Sequence, residues 1–151
     1  SPGEDRYRRG LYTFSKRTAP YAMFTTFDGP SGEACVPRRD VSNTPLQALT
    51  LLNDAVFVEV AQALGRDWAG RSGSTAERVE TLFRHCLTRS PTPSELLQLT
   101  AFVEAQSTRL KDTPAEAAKI AGAATGDTIA TAAWSTLARV ILNLDEMITT
   151  E

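Results

Sequence analysis

The sequence is short of the residue types that carry most enzyme and metal chemistry. It holds one histidine, His85, and two cysteines, Cys35 and Cys86, 51 positions apart. No C-x-x-C and no C-x-x-C-H occurs, which excludes a zinc knuckle and covalently attached c-type haem. G-x-S-x-G, P-loop and H-E-x-x-H patterns are missing too. Apolar runs are only a few residues long, far short of the roughly 20 that span a bilayer. Charge of one sign is not in excess. A net charge of −2 and a pI near 5.5 predict no general affinity for nucleic acid or for an anionic membrane.

What remains is the composition of a globular chain, 42% hydrophobic and 23% charged. The 151 residues suffice for one core without a metal or a disulfide. They open on polar Ser1-Pro2-Gly3-Glu4-Asp5 with no Met, so they are expected to be a piece of a longer polypeptide.

Charge and aromatics divide the chain near Asn43. Residues 1–43 carry seven Lys/Arg against five Asp/Glu, and six of the eleven aromatics: Tyr7, Tyr12, Phe14, Tyr21, Phe24 and Phe27. Pro20, Pro30 and Pro37 with Gly10, Gly29 and Gly32 break any helical period. This part reads as an extended arm, with a short strand around Gly10–Phe14, that lays its aromatics on a neighbouring surface.

From Thr44 the signals are helical. Thr44-Pro45-Leu46-Gln47, Thr92-Pro93-Ser94-Glu95 and Thr113-Pro114-Ala115-Glu116 share the pattern T-P-x-[EQ], and Ser74-Thr75-Ala76-Glu77 matches it without the proline. The hydroxyl can cap the free N–H groups of a first helical turn, and the Glu or Gln can return to the cap's own N–H. Four helix starts are therefore predicted.

The first helix carries Leu46, Leu49, Leu52, Val56, Phe57, Val60 and Leu64 on one stripe, interrupted at Asn53-Asp54, either of which can cap a second piece. The helix over 75–89 uses Val79, Leu82, Phe83, Cys86 and Leu87; that over 93–110 uses Leu96, Leu99, Phe102, Val103 and Leu110. Residues 114–122 read as a short, weakly apolar and mobile helix, and Asp127 as the cap of the last one. That last helix, residues 128–149, has the clearest pattern: Ile129, Ala132, Ala133, Thr136, Leu137, Val140, Ile141, Leu144 and Ile148. Its roughly 33 Å would cross a small domain as the central rod. Thr131 falls off the stripe and is expected on the surface. The expectation is one all-α domain over 1–151: an extended aromatic arm (1–43) wrapping a helical bundle (44–151) built around a long C-terminal helix.

The segments RRGLYTFSKRTAP (8–20), TTFDGPSGEACVPRRDVSNTPLQALTLLND (25–54) and FVEVAQAL (57–64) carry a resemblance. They follow R-R-x-L-Y-x-x-x-K-R, then F-D-x-P-x-x-E-x-C-x-x-R-R, then T-N-T-P-L-Q-A-L-x-L-L-N-D, with Ser42 in place of the first Thr and Ala55 where Pro often follows. The chain resembles the planctomycete-type domain of unknown function, of PSD-one type, that ends large secreted proteins with cytochrome-c-like domains upstream. The resemblance returns at Phe83-Arg84, Arg89 and Pro91-Thr92, and at Ala133-Trp134 through Leu142-Asn143-Leu144-Asp145-Glu146. It implies a secreted or periplasmic multidomain context, upstream domains of the same polypeptide as partners, and haem only in those domains. It implies no activity.

The densest polar cluster is Asp28, Glu33, Cys35, Arg38, Arg39, Asp40 and Asn43. Carboxylates beside arginines can bind phosphate, sugar or carboxylate groups, so Asp28, Glu33, Arg38, Arg39 and Asn43 are the candidate binding residues. The competing expectation is structural, with the cluster tying arm to bundle and at least one of Arg38 and Arg39 buried and ion-paired, either locally or with Asp145 or Glu146. The Asp28–Glu33 loop lacks the alternating carboxylates of an EF-hand, so no metal is expected there. His85 and Cys86 diverge by about 100° on a helix and cannot easily share one ligand. Cys86 reads as a core residue, while a secreted context leaves a Cys35–Cys86 disulfide open. Basic residues of the arm, Arg6, Arg8, Arg9, Lys16 and Arg17, interleave with Tyr7, Tyr12 and Phe14 as in nucleic-acid or glycan strips, although the acidic pI opposes nucleic acid. Trp68 and Trp134 read as core or groove residues. The expected function is a structural and interaction module with no catalytic residues and no cofactor in this segment. A carbohydrate-binding or catalytic cleft shared with upstream domains is the alternative.

Overall fold

The computed structural model describes residues 7, 9–14, 16, 18–30, 32, 35, 37–38, 41–123 and 126–148. Among the described residues the fold is mostly helical (70%) and no strand occurs. Eight α-helices follow one another there: α1 Ala22–Thr26, α2 Pro45–Asn53, α3 Ala55–Ala69, α4 Thr75–Leu87, α5 Pro93–Lys111, α6 Pro114–Ala121, α7 Thr128–Leu142 and α8 Asp145–Ile148. The chain divides into two compact units, residues 1–50 and 51–151, and the division falls inside α2.

In the first unit the strand expected around Gly10–Phe14 is a 3-10 turn, Gly10–Tyr12. Local bonds from Tyr12 N–H to Arg9 O (2.9 Å) and from Thr13 N–H to Gly10 O (3.0 Å) satisfy groups that a lone strand would leave unpaired. Nor is the segment extended throughout, since α1 interrupts it. The Phe24 ring of α1 meets Tyr21 edge-on at 5.5 Å and closes on Gly10, where a Cβ would stand 2.8 Å from the ring. The helix ends in a left-handed turn. Asp28 takes a φ of 54°, and Gly29 N–H reaches back to Phe24 O at 2.6 Å, as in a Schellman motif.

Helix starts follow the sequence closely. Thr44 with Gln47, Ser74 with Glu77 and Thr92 with Glu95 each close a reciprocal capping box. Thr113 does not, and Glu116 pairs instead with Arg109 at 2.9 Å. Only two residues separate α5 from α6, and Thr113 N–H still bonds Leu110 O, so it cannot take the extended cap conformation. Asp54 is the cap that splits α2 from α3, accepting from Val56 N–H at 2.9 Å. Asp127 accepts from Ile129 N–H and Ala130 N–H at the head of α7.

The second unit is built around α7, against which α3, α4, α5 and α6 all pack. Nine of its 15 residues are buried, so it is enclosed on nearly every side rather than along one stripe. Thr131, expected on the surface, is 4% exposed. The rod is also shorter than the pattern suggests. Bonds from Asn143 N–H to Val140 O and from Leu144 N–H to Ile141 O tighten its last turn, and α8 restarts with acidic Asp145 and Glu146. The short helix α6 is part of the core, with Ala117 and Ala121 fully buried and its end held by Gln62 Nε2 on Ile120 O at 3.0 Å. Leu46, Leu49 and Val60 of the predicted stripe are exposed; the buried face of α2 is Gln47 and Leu51.

Helices α3 and α7 approach closely at Gly65, where a Cβ would stand 2.7 Å from Ser135 N and 2.8 Å from Ser135 Cα. Fully buried Ala61 and Ala138 lie in one small apolar cluster. Trp68, Val79, Leu82, Phe83, Val103, Leu110, Trp134, Leu137 and Ile141 form the main core. Both cysteines are free: Cys35 is exposed, while Cys86 is partly buried and its burial pushes the thiol pKa up. No single described helix is long and apolar enough to cross a membrane.

Candidate functional site

Of the five residues that the sequence singles out for binding, Glu33 and Arg39 lie outside the described residues, as does Asp40. Arg38 and Asn43 are exposed. The buried, ion-paired arginine expected of the Arg38-Arg39 pair is therefore not Arg38. Asp28 is the residue whose surroundings are defined. Its left-handed backbone turns the carboxylate onto the segment that leads into α2. Oδ2 accepts from Ser42 N–H at 2.8 Å, both oxygens accept from Ser42 Oγ at 2.7 and 2.9 Å, and Gln47 Nε2 donates at 3.3 Å. Hydrogen bonds from Ser42, hydroxyl first and then amide, hold the carboxyl below its ordinary pKa of 3.8, against the opposing effect of desolvation.

Gln47 is the other half of this node. It is 1% exposed; Nε2 also donates to Thr26 O at 2.9 Å and to Ser42 Oγ at 3.1 Å, while Oε1 accepts from Thr44 N–H at 2.9 Å. Asp28, Ser42, Thr44 and Gln47 thus lock the end of α1 to the start of α2. The sequence marked Gln47 only as a capping residue. Its burial could not be read from a stripe that placed its neighbours Leu46 and Leu49 inside.

The second unit carries two arginine clusters. Arg89 donates through Nη2 to Glu95 at 2.8 Å and through Nε and Nη2 to Glu146 at 2.7 Å each, with its guanidinium 4.8 Å from the Phe83 ring. Arg89 is the main cause that draws both carboxyls down, Glu95 to about 2. This ties α8 to the start of α5, so Glu146, one of the two remote acidic partners considered for an arm arginine, serves Arg89. Around the α3–α4 junction, a depression of about 510 Å³ is lined by Gly70, Arg71, Ser72, Glu77, Arg78 and Thr81. Arg71 stacks on Trp68 at 3.7 Å, Arg78 lies over Trp134 at 4.8 Å, and both indoles are buried. The Gly70-Arg71-Ser72-Gly73 junction was the available signal for it. These arrangements hold charges and close helix ends; among the described residues none sets a nucleophile beside a base.

Neither a curated protein nor a solved structure matches this chain. Residues 1–103 match a family model, so the match takes in the Asp28 node and the start of α5 and stops short of the resemblance at 133–146. The chain belongs to the family described as PSD1, protein of unknown function (DUF1553).

Proposed function

We propose that the chain is an interaction module whose first unit docks through its apolar surface onto upstream domains of the same, secreted or periplasmic, polypeptide. The observation that carries this reading is the exposure of large hydrophobic side chains in that unit. Leu11 and Phe14 are each 83% exposed and Val41 70%, and Tyr7, Tyr12, Tyr21, Leu46 and Leu49 are exposed beside them in sequence. Single exposed apolar residues are ordinary, but this unit carries eight within 50 residues, and that concentration is what supports a partner covering them. The aromatic arm then serves the partner as well as its own fold.

The polar node supports the same reading. Asp28 spends its carboxylate on Ser42 and Gln47, so it holds the docking unit in shape rather than offering itself to a ligand. A carbohydrate-binding or catalytic cleft shared with upstream domains draws no support from it. The test is radical footprinting of Tyr7, Tyr12, Phe14 and Tyr21 in this chain alone and within the full-length polypeptide. The proposal expects their labelling to fall in the longer protein; equal labelling in both would overturn it.

A further inference from the structure

We propose that the depression at the α3–α4 junction is an oxyanion site, taking a sulfate, phosphate or carboxylate group of a ligand between Arg71 and Arg78. Both arginines line it, and each guanidinium is held on the face of a buried indole. Stacking fixes the plane of a guanidinium while leaving its N–H edge available, the geometry in which arginine recognises oxyanions.

The structural role of these side chains accounts for only part of their donor capacity. Arg78 Nη1 donates to Trp68 O and Ala69 O at 3.4 Å and to Arg71 O at 3.5 Å. These are long contacts that spread one nitrogen over the last carbonyls of α3. Arg78 Nε is buried and has no hydrogen-bond partner. Arg71 gives Nη2 to Asp67 at 2.6 Å, an exposed pair one helical turn apart. Each guanidinium has five N–H donors, and these hydrogen bonds use only Nη1 of Arg78 and Nη2 of Arg71.

Two further polar side chains of the lining, Thr81 and Glu77, are engaged elsewhere. Thr81 Oγ1 accepts from Trp68 Nε1 at 3.2 Å and donates to Arg78 O at 2.9 Å. Glu77, the one carboxylate of the lining, bonds Ser74 N–H at 2.8 Å as the capping-box acid. No ion pair joins Glu77 to either arginine, and Arg71 pairs with Asp67. The site lies wholly in the second unit and stands whether or not the docking proposal does.

The chain's two tryptophans are the residues beneath these two arginines, so intrinsic fluorescence reports the site directly. Sodium sulfate, sodium phosphate and sodium succinate would each be titrated at constant ionic strength against sodium chloride. The proposal expects a saturable fluorescence change with at least one oxyanion and none with chloride; the arm that saturates identifies the tetrahedral or the carboxylate source. Arg71→Gln, exposed and peripheral to the core, should fold and weaken that binding about 10-fold or more, as loss of a charge-assisted hydrogen bond implies. No saturable response to any of the three, or a response unchanged in Arg71→Gln, overturns it.

Discussion

Gly65→Ala tests the central packing of the second unit with one methyl group. In most exposed helix interiors that exchange stabilises by about 1 kcal/mol, because alanine is the better helix former. Here the added Cβ would stand 2.7 and 2.8 Å from the backbone N and Cα of Ser135. Ordinary carbon contacts lie at about 3.5–4.0 Å, so the backbones of α3 and α7 must part by roughly 0.7–1.3 Å. Backbone atoms cannot swing aside like the tip of a flexible side chain, and overpacking of this kind costs about 1–3 kcal/mol. Net destabilisation of up to about 2 kcal/mol is expected after the helix gain is subtracted. Gly70→Ala is the matched control: its Cβ would meet nothing nearer than 3.8 Å, and Gly70 has a right-handed φ of −84°. That variant should be neutral or stabilised by up to about 1 kcal/mol. Denaturant unfolding followed by tryptophan fluorescence reads this unit, since Trp68 and Trp134 both lie in it. A Gly65→Ala variant at least as stable as Gly70→Ala would refute the close approach of α3 and α7.

Leu137→Ala and Ile141→Ala, both fully buried, should each cost about 2–5 kcal/mol by the same assay. Gln47→Ala would leave Thr26 O and Thr44 N–H without their partner, and amide exchange should show the first unit loosened by about 2–4 kcal/mol. Asp28 has a folded pKa below its unfolded value, so its contribution is complete above about 4 and is lost as pH falls through the depressed value. The Ser42 amide resonance should follow that titration, and a midpoint at or above 3.8 would contradict the hydrogen bonds seen. Arg89→Ala should speed amide exchange across 145–148 while leaving the α7 amides protected.

How far the fold was legible depended on the range of the interaction that decides each feature. Helix starts at Thr44, Ser74 and Thr92 are settled by a side chain and a backbone group three residues apart, and all three formed. Thr113 carries the same letters, yet its backbone is committed to the end of α5. The last helix showed the complementary failure. A single stripe predicted one buried face, but α7 is enclosed by four helices, and its off-stripe positions Thr131 and Ser135 are small enough for neighbours to approach. The weak apolar content of α6 likewise concealed its burial, because alanine packs by letting backbones come close rather than by its own area.

The candidate site divides along the same line. Asp28 stood out because it lies among charges, of which Glu33, Arg39 and Asp40 lie outside the described residues. Among the described residues its partners are Ser42 and Gln47, uncharged residues 14 and 19 positions away. A left-handed conformation costs a non-glycine residue about 1–2 kcal/mol, which the hydrogen bonds of the carboxylate offset. Glycine would take the turn more readily but could not reach Ser42; asparagine could reach it, but with the weaker bonds of an uncharged acceptor. The F-D and T-N-T-P-L-Q segments of the family pattern, read here as Phe27-Asp28 and Ser42-Asn43-Thr44-Pro45-Leu46-Gln47, therefore meet in one hydrogen-bonded node. What a motif search would take for two separate signatures is one device that closes α1 onto the start of α2. Among the described residues its hydrogen bonds are those of a fold constraint, and the proposed docking surface is made of side chains which that constraint leaves exposed.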